Sequence, residues 1–131
     1  MNMKKMDIKY LEKCRSSLSS EQAKSLSETN NWGHVDKQKV HTDWDSLYKE
    51  LAVLVDNSMP AEREIQEIIG RHYKITSRFY LPSKEAYIGM GLFYSENNEM
   101  KEFHNAYHPK MIEFLGDAIS VYAQENLASN A

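Results

Sequence analysis

The residues of this 131-residue chain with the capacity for chemistry are five histidines, a single cysteine and a dense set of tyrosines. His104 and His108 are four apart, which would put both imidazoles on one helix face, as a pair of zinc ligands requires. Pro109 closes the turn directly after His108 and no cysteine stands near to complete a ligand set, so surface histidines are the plainer reading and no metal site is expected. Cys14 sits among charged residues with nothing beside it to lower its pKa, and a lone cysteine excludes an internal disulfide and suits a reducing cytoplasm. There is no glycine-rich phosphate loop, no G-x-S-x-G elbow and no H-E-x-x-H. No nucleophile, base and oxyanion donor can be assembled, so neither catalytic residues nor a cofactor is expected.

The stretch "RHYKITSRFYLPSKEAYIGMGLFY", Arg71 to Tyr94, holds His72, Tyr73, Phe79, Tyr80, Tyr87, Phe93 and Tyr94. Aromatic residues at helical spacing are usually core. Against that stands the number of hydroxyls: Tyr73, Tyr80, Tyr87, Tyr94 and Tyr107 each need a partner if buried. Tyr73, Tyr80, Tyr87 and Tyr94 also recur every seven residues, so within a helix they share a face. A cleft lined by them would offer apolar area with polar tips to a bulky, heterocyclic, amphipathic ligand. His72 reads as a hydrogen-bonded core histidine or as a polar contact in such a pocket. Trp32, in a turn-rich segment without helical period, reads as packed or as facing a ligand, whereas Trp44 reads as core. The candidate ligand-binding residues are Trp32, His72, Phe79, Tyr80, Tyr87, Met90, Tyr94 and Tyr107.

The elements that must position them are helices. Ile8, Leu11 and Leu18 are sparse among charges, which suggests a weakly buried first helix, and "SSEQ" has a capping-box spacing that would start a second one running to Glu28. "ETNNWGH" breaks the pattern. Trp44, Leu47, Tyr48, Leu51, Leu54 and Val55 then mark a strong amphipathic helix, capped by Thr42 or Asp43. Pro60 opens the next, whose apolar face carries Ile65, Ile68, Ile69, His72, Thr76 and Phe79 and which should end or kink near Tyr80 and Leu81, ahead of Pro82. A following helix runs to about Tyr94, and its Gly89 and Gly91 mark a place where something approaches the backbone closely. "SENN" reads as a loop, Met100, Phe103 and Tyr107 as a short helix, and Ile112, Leu115, Ile119 and Tyr122 as the stripe of a last one begun by Pro109. No strand pattern or repeat appears.

Sixteen basic and nineteen acidic residues give a net charge of −3, against the positive excess of a nucleic-acid binder. The longest apolar run, "LAVLV", is far short of the roughly 20 residues that span a bilayer, and the start "MNMKKMDIKY" has no apolar segment behind its lysines. One cytoplasmic domain is expected, with no direct nucleic-acid or membrane partner.

Three stretches, "WDSLYKELAVLVDNSMP", "RHYKITSRFYLPS" and "LFYSENNEMKEFHNAYHPKMIEFLGDAI", preceded by "NWGH", carry a resemblance to the TipAS antibiotic-recognition domain. That domain is the drug-sensing part of thiostrepton-induced regulators of the MerR family and is related to albicidin-binding resistance proteins. The resemblance implies an all-α, globin-like domain without haem. It also implies a mobile N-terminal helical segment, residues 1–30, that folds over the ligand as a lid on a binding domain, residues 31–131. The implied ligands are large peptide-derived antibiotics. Where the thiostrepton sensors carry a cysteine that captures dehydroalanine, this chain has Pro82, so binding without covalent capture is expected. Pro109-Lys110 replaces the family's Pro-Gly and Met100 one of its aromatics, so the ligand set is expected to differ. No basic helix-turn-helix or long coiled coil precedes the match, so transcriptional activation by this chain alone is not expected. The rival reading is a regulatory subunit that works with a separate DNA-binding partner; a homodimer or protein partner is left open.

Overall fold

The computed structural model describes residues 3–129, apart from the side chain of Lys4. Six α-helices follow a short 3-10 turn at Met3–Lys5: α1 Ile8–Glu28, α2 Lys37–Ala52, α3 Arg63–Thr76, α4 Lys84–Glu96, α5 Asn98–Asn105 and α6 Met111–Asn126, with a second 3-10 turn at Val55–Asn57. No strand occurs among the described residues, and the all-α architecture is consistent with a globin-like helical fold. No helix among them is long and apolar enough to cross a membrane.

The centre is α4, in which every residue from Glu85 to Leu92 is buried. It lies between α1 on one side and α6 on the other, while α3 packs on α2 and α6, and α5 bridges α4 and α6. The two glycines of α4 make this possible. A Cβ at Gly89 would sit 2.3 Å from the Cys14 carbonyl oxygen, so only glycine lets α1 cross here. Gly91 faces the Cα of Gly116 on α6, 3.6 Å from where its Cβ would be. The close approach read from the sequence is thus that of two neighbouring helices.

Several helix ends differ from the sequence reading, each for a local reason. The first two expected helices are one, since Leu11, Cys14 and Leu18 pack on α4 and carry the helix through the exposed Ser19 and Ser20. Asp36, not Thr42 or Asp43, caps α2 by accepting from the Lys39 N–H at 3.1 Å; Asp43 instead pairs with Arg78 at 2.7 Å. Pro60 lies in the turn before α3, and α3 stops at Thr76, three residues short of Phe79. Asn97 ends α4 and at once caps α5, accepting from the Met100 N–H at 3.0 Å, so "SENN" contains no extended loop.

Between α1 and α2 the chain reverses through three consecutive left-handed residues, Asn30, Asn31 and Trp32, with φ of 52°, 58° and 62°. Asparagine tolerates this region; tryptophan does not favour it, and the conformation costs on the order of 1 kcal/mol or more. Local bonds hold it. The Thr29 hydroxyl accepts from the Trp32 N–H at 3.0 Å, and the Trp32 indole donates to Ser25 Oγ at 2.8 Å.

Candidate functional site

The cavity that the sequence candidates line is a cleft of about 180 Å³ walled by Leu18, Gln22, Trp32, Trp44, Thr76, Phe79, Tyr80, Met90, Phe93, Tyr94 and Met100. Five of the eight sequence candidates, Trp32, Phe79, Tyr80, Met90 and Tyr94, meet there. The rings are ordered. Trp32 stands edge-on to Phe79 at 4.9 Å, Phe79 stacks on Trp44 at 6.1 Å with 14° between planes, and Trp44 stacks on His72 at 5.8 Å.

Phe79 and Tyr80 belong to the non-helical link from α3 to α4. Thr76 and Ser77 turn their hydroxyls back onto the carbonyls of His72 and Tyr73, at 3.0 and 2.8 Å, which competes with helix continuation. Pro82 then forbids it. The link is pinned by His34, whose Nε2–H donates to the carbonyls of Arg78 and Phe79 at 3.0 and 3.2 Å. Phe79 and Tyr80 also form a wall of a second, outer groove of about 600 Å³, bounded by the C-terminal half of α1 and residues 126–129. The two spaces therefore share a two-residue partition.

His72 and Tyr87 do not line the cleft; both are fully buried beneath it. They belong to a thread of hydrogen bonds that crosses the core: Tyr87 to His72 Nδ1 at 2.7 Å, His72 Nε2 to Tyr48 at 3.0 Å, Tyr48 to His104 Nε2 at 3.1 Å, and His104 Nδ1 to the Met100 carbonyl at 2.7 Å. Its direction follows from its end. A carbonyl can only accept, so His104 Nδ1 carries the proton and, in the neutral ring, Nε2 accepts from Tyr48. Tyr48 then accepts from His72 Nε2–H, and His72 Nδ1 accepts from Tyr87. Every nitrogen is used with both histidines neutral. Burial, helped by the neighbouring His104, pushes His72 down to about 3, and burial likewise lowers His104. The same burial raises Tyr48 and Tyr87 well above the usual phenol range and keeps both hydroxyls as donors.

Tyr107 stands apart, half-buried, its hydroxyl donating to Asp45 at 2.6 Å. That bond, with Lys49 next, holds the Asp45 carboxyl below its ordinary range. His108 donates to Asp56 at 2.9 Å and does not join His104, which is spent in the thread. No cluster of three or more potential metal ligands occurs among the described residues. Cys14 is buried against α4, and burial, with Glu85 nearby, pushes its thiol up to about 11.

The sequence reading passed over Trp44, Thr76, Phe93 and Met100 as parts of this wall, and Tyr48 as the hub of the thread. Trp44 and Tyr48 were hidden by their own regularity, since both fit the apolar stripe of α2. Phe93 carried no signal in the sequence that sets it apart from its buried neighbours on α4, and only the structure shows it 46% exposed beside the cleft.

An all-helical domain with an aromatic cleft, set over a buried thread of hydrogen-bonded tyrosines and histidines, has the form of a ligand-binding architecture. The family model of the TipAS antibiotic-recognition domain matches residues 10–122, and the chain belongs to that family of ligand-binding, sensing domains. No curated protein and no solved structure matches the chain.

Proposed function

We propose that this chain is a non-catalytic binding module that senses or sequesters a bulky amphipathic, peptide-derived antibiotic, and that the ligand occupies the aromatic cleft without covalent capture. The observation that carries the reading is the shared wall: an inner aromatic space of about 180 Å³ and an outer groove of about 600 Å³ have Phe79 and Tyr80 in common. Ligand pockets for drug-sized molecules run to roughly 300–1,000 Å³. The inner space is too small for one, and joining it to the outer groove brings it into range.

In this reading the segment 1–30, of which residues 3–30 are described, acts as the lid of this site. Leu18 and Gln22 wall the inner cleft and Glu21, Lys24, Ser25 and Glu28 the outer groove, so α1 is a side of both. Non-covalent binding is supported by Pro82 at the capture position and by the burial of Cys14, whose raised pKa leaves little thiolate at neutral pH.

The test is a titration of intrinsic tryptophan fluorescence against thiopeptides and albicidin-like compounds, with thermal denaturation alongside. Trp32 and Trp44 both wall the cleft, so occupancy registers directly. Saturable quenching with a melting temperature that rises with ligand concentration is expected. Phe79→Ala should weaken binding by about 1–3 kcal/mol with the fold retained. Silence across the panel would reduce the cleft to a packing defect.

A further inference from the structure

Among the described residues, the one buried carboxylate is that of Glu85, which is 2% exposed at the start of α4. Two hydroxyls serve it, and both donate to the same oxygen. Tyr10 of α1 reaches Glu85 Oε2 at 3.0 Å, and Ser129, beyond the end of α6, reaches it at 3.1 Å. Oε1 has no hydrogen-bond partner. Burial and the bond to Glu85 raise Tyr10 above the usual phenol range, which keeps its hydroxyl a donor. The segment that carries Ser129 is a strap. Leu127 leaves α6 in an extended conformation, φ −112° and ψ 150°, and packs on the core, and the Ala128 carbonyl accepts from the Lys84 N–H at 3.0 Å. Strap and α1 both border the outer groove, the first through Leu127, Ala128 and Ser129 and the second through Glu21, Lys24, Ser25 and Glu28.

We infer that Glu85 couples these two elements: through one shared carboxylate oxygen the strap holds α1 down on α4, so that freeing residues 127–129 loosens α1. The coupling goes beyond the antibiotic-binding reading and does not depend on it. Its sign follows from burial. With α1 in place Glu85 is out of water, and the two hydroxyls stand in for the hydration it has lost. Taking away Ser129 leaves the carboxylate to Tyr10 alone, with Oε1 already bare. With α1 lifted, water reaches Glu85 and the Ser129 hydroxyl adds little, since a hydrogen bond to a charged group is worth more in a dry site than in a wet one. The strap therefore favours the state in which α1 is down. Other ties remain, because Glu21 accepts from the Ser83 N–H at 3.0 Å and Arg15 donates to Glu96 at 2.9 Å, so losing the strap weakens the hold on α1 without detaching it. Coupling is reciprocal, and displacing either element loosens both borders of the outer groove together.

The experiment is amide hydrogen exchange at neutral pH on the ligand-free full chain and on its Ser129→Ala variant, which removes the donor and leaves Leu127 and the Ala128 carbonyl in place. Ser129 is exposed, so the variant should fold. Exchange in α1 between Leu11 and Leu18 is expected to quicken by about 10-fold, the equivalent of one hydrogen bond to a charged group. Exchange in α3, which packs on α2 and α6, should keep its rate. Glu85→Gln keeps the shape of the side chain and removes its charge, and in that background Ser129→Ala should quicken α1 by a smaller factor, because a neutral acceptor loses less. Unchanged exchange in α1, an equal rise in α1 and α3, or an undiminished rise in the Glu85→Gln background would overturn the inference.

Discussion

Replacing Tyr48 by phenylalanine removes one oxygen atom and keeps the ring against Phe103, His104 and Tyr107, where the centroids lie 6.3, 4.9 and 5.3 Å away. The oxygen is the middle of the thread. Without it His72 Nε2–H has no acceptor and His104 Nε2 has no donor, and the two histidines are 0% and 1% exposed. Each buried orphan costs about 1–3 kcal/mol, so Tyr48→Phe should destabilise the domain by about 2–6 kcal/mol. Tyr87→Phe at the end of the thread is the control. It orphans His72 Nδ1 alone and should cost about half as much, about 1–3 kcal/mol. At about 4 °C per kcal/mol for a chain of this size, the melting temperature should fall by about 8–24 °C for the first variant and about 4–12 °C for the second. Urea denaturation at pH 8 measures both, and an unchanged m-value would show that the folded state has kept its compactness. Losses that are equal, or a smaller loss for Tyr48→Phe, would refute the central place assigned to Tyr48 in the thread.

Acid should act on the same residues. His72 is held down to about 3 against about 6.5 in an unfolded chain, and His104 is lowered too, so the unfolded state binds more protons. Their contribution is complete above about pH 6.5 and is lost as pH falls towards 3, at about 1.4 kcal/mol per unit for each group that titrates only on unfolding. Denaturation midpoints at pH 8, 6.5 and 5 test this above the range where carboxylates intervene; a flat response from 6.5 to 5 would contradict it. Gly89→Ala should destabilise by about 1–3 kcal/mol and speed hydrogen exchange in α1, because its Cβ would meet the Cys14 carbonyl at 2.3 Å. Gly91→Ala, whose nearest contact would be an ordinary 3.5 Å, should be neutral or stabilise by up to about 1 kcal/mol. Tyr80→Phe removes an unpartnered buried hydroxyl and should leave stability equal or higher, by thermal denaturation. Cys14 should react with a thiol reagent only as fast as the domain opens, so its labelling rate should track the denaturant concentration.

The helices were largely legible because α2 and α3 bury one stripe each and repeat it at the helical period. Their ends were less so. The Asp36 cap is followed by a polar first turn that hides the start of α2, and the end of α3 is decided by Thr76 and Ser77 hydroxyls, three residues before the apolar face stops. That early end is what frees Phe79 and Tyr80 to become a partition. The thread was beyond sequence reasoning, since Tyr48 meets His72 and His104 across separations of 24 and 56 residues that no period encodes. Five of the candidate residues meet in the cleft because aromatic excess in a small domain is a surface signal as well as a core one. His72 and Tyr87 joined the list on the same count of polar tips, which the core satisfies internally.

The thread and the cleft share almost no side chains. Tyr87, His72, Tyr48 and His104 give up their polar atoms to one another, and the fifth member, Met100, contributes a main-chain carbonyl that any residue would supply. Trp32, Phe79, Met90, Phe93 and the Met100 side chain are left to shape the wall. Substitution in the wall can thus reshape the cleft while the helix pairing beneath is untouched, so the shape of this space is free to vary without unmaking the fold.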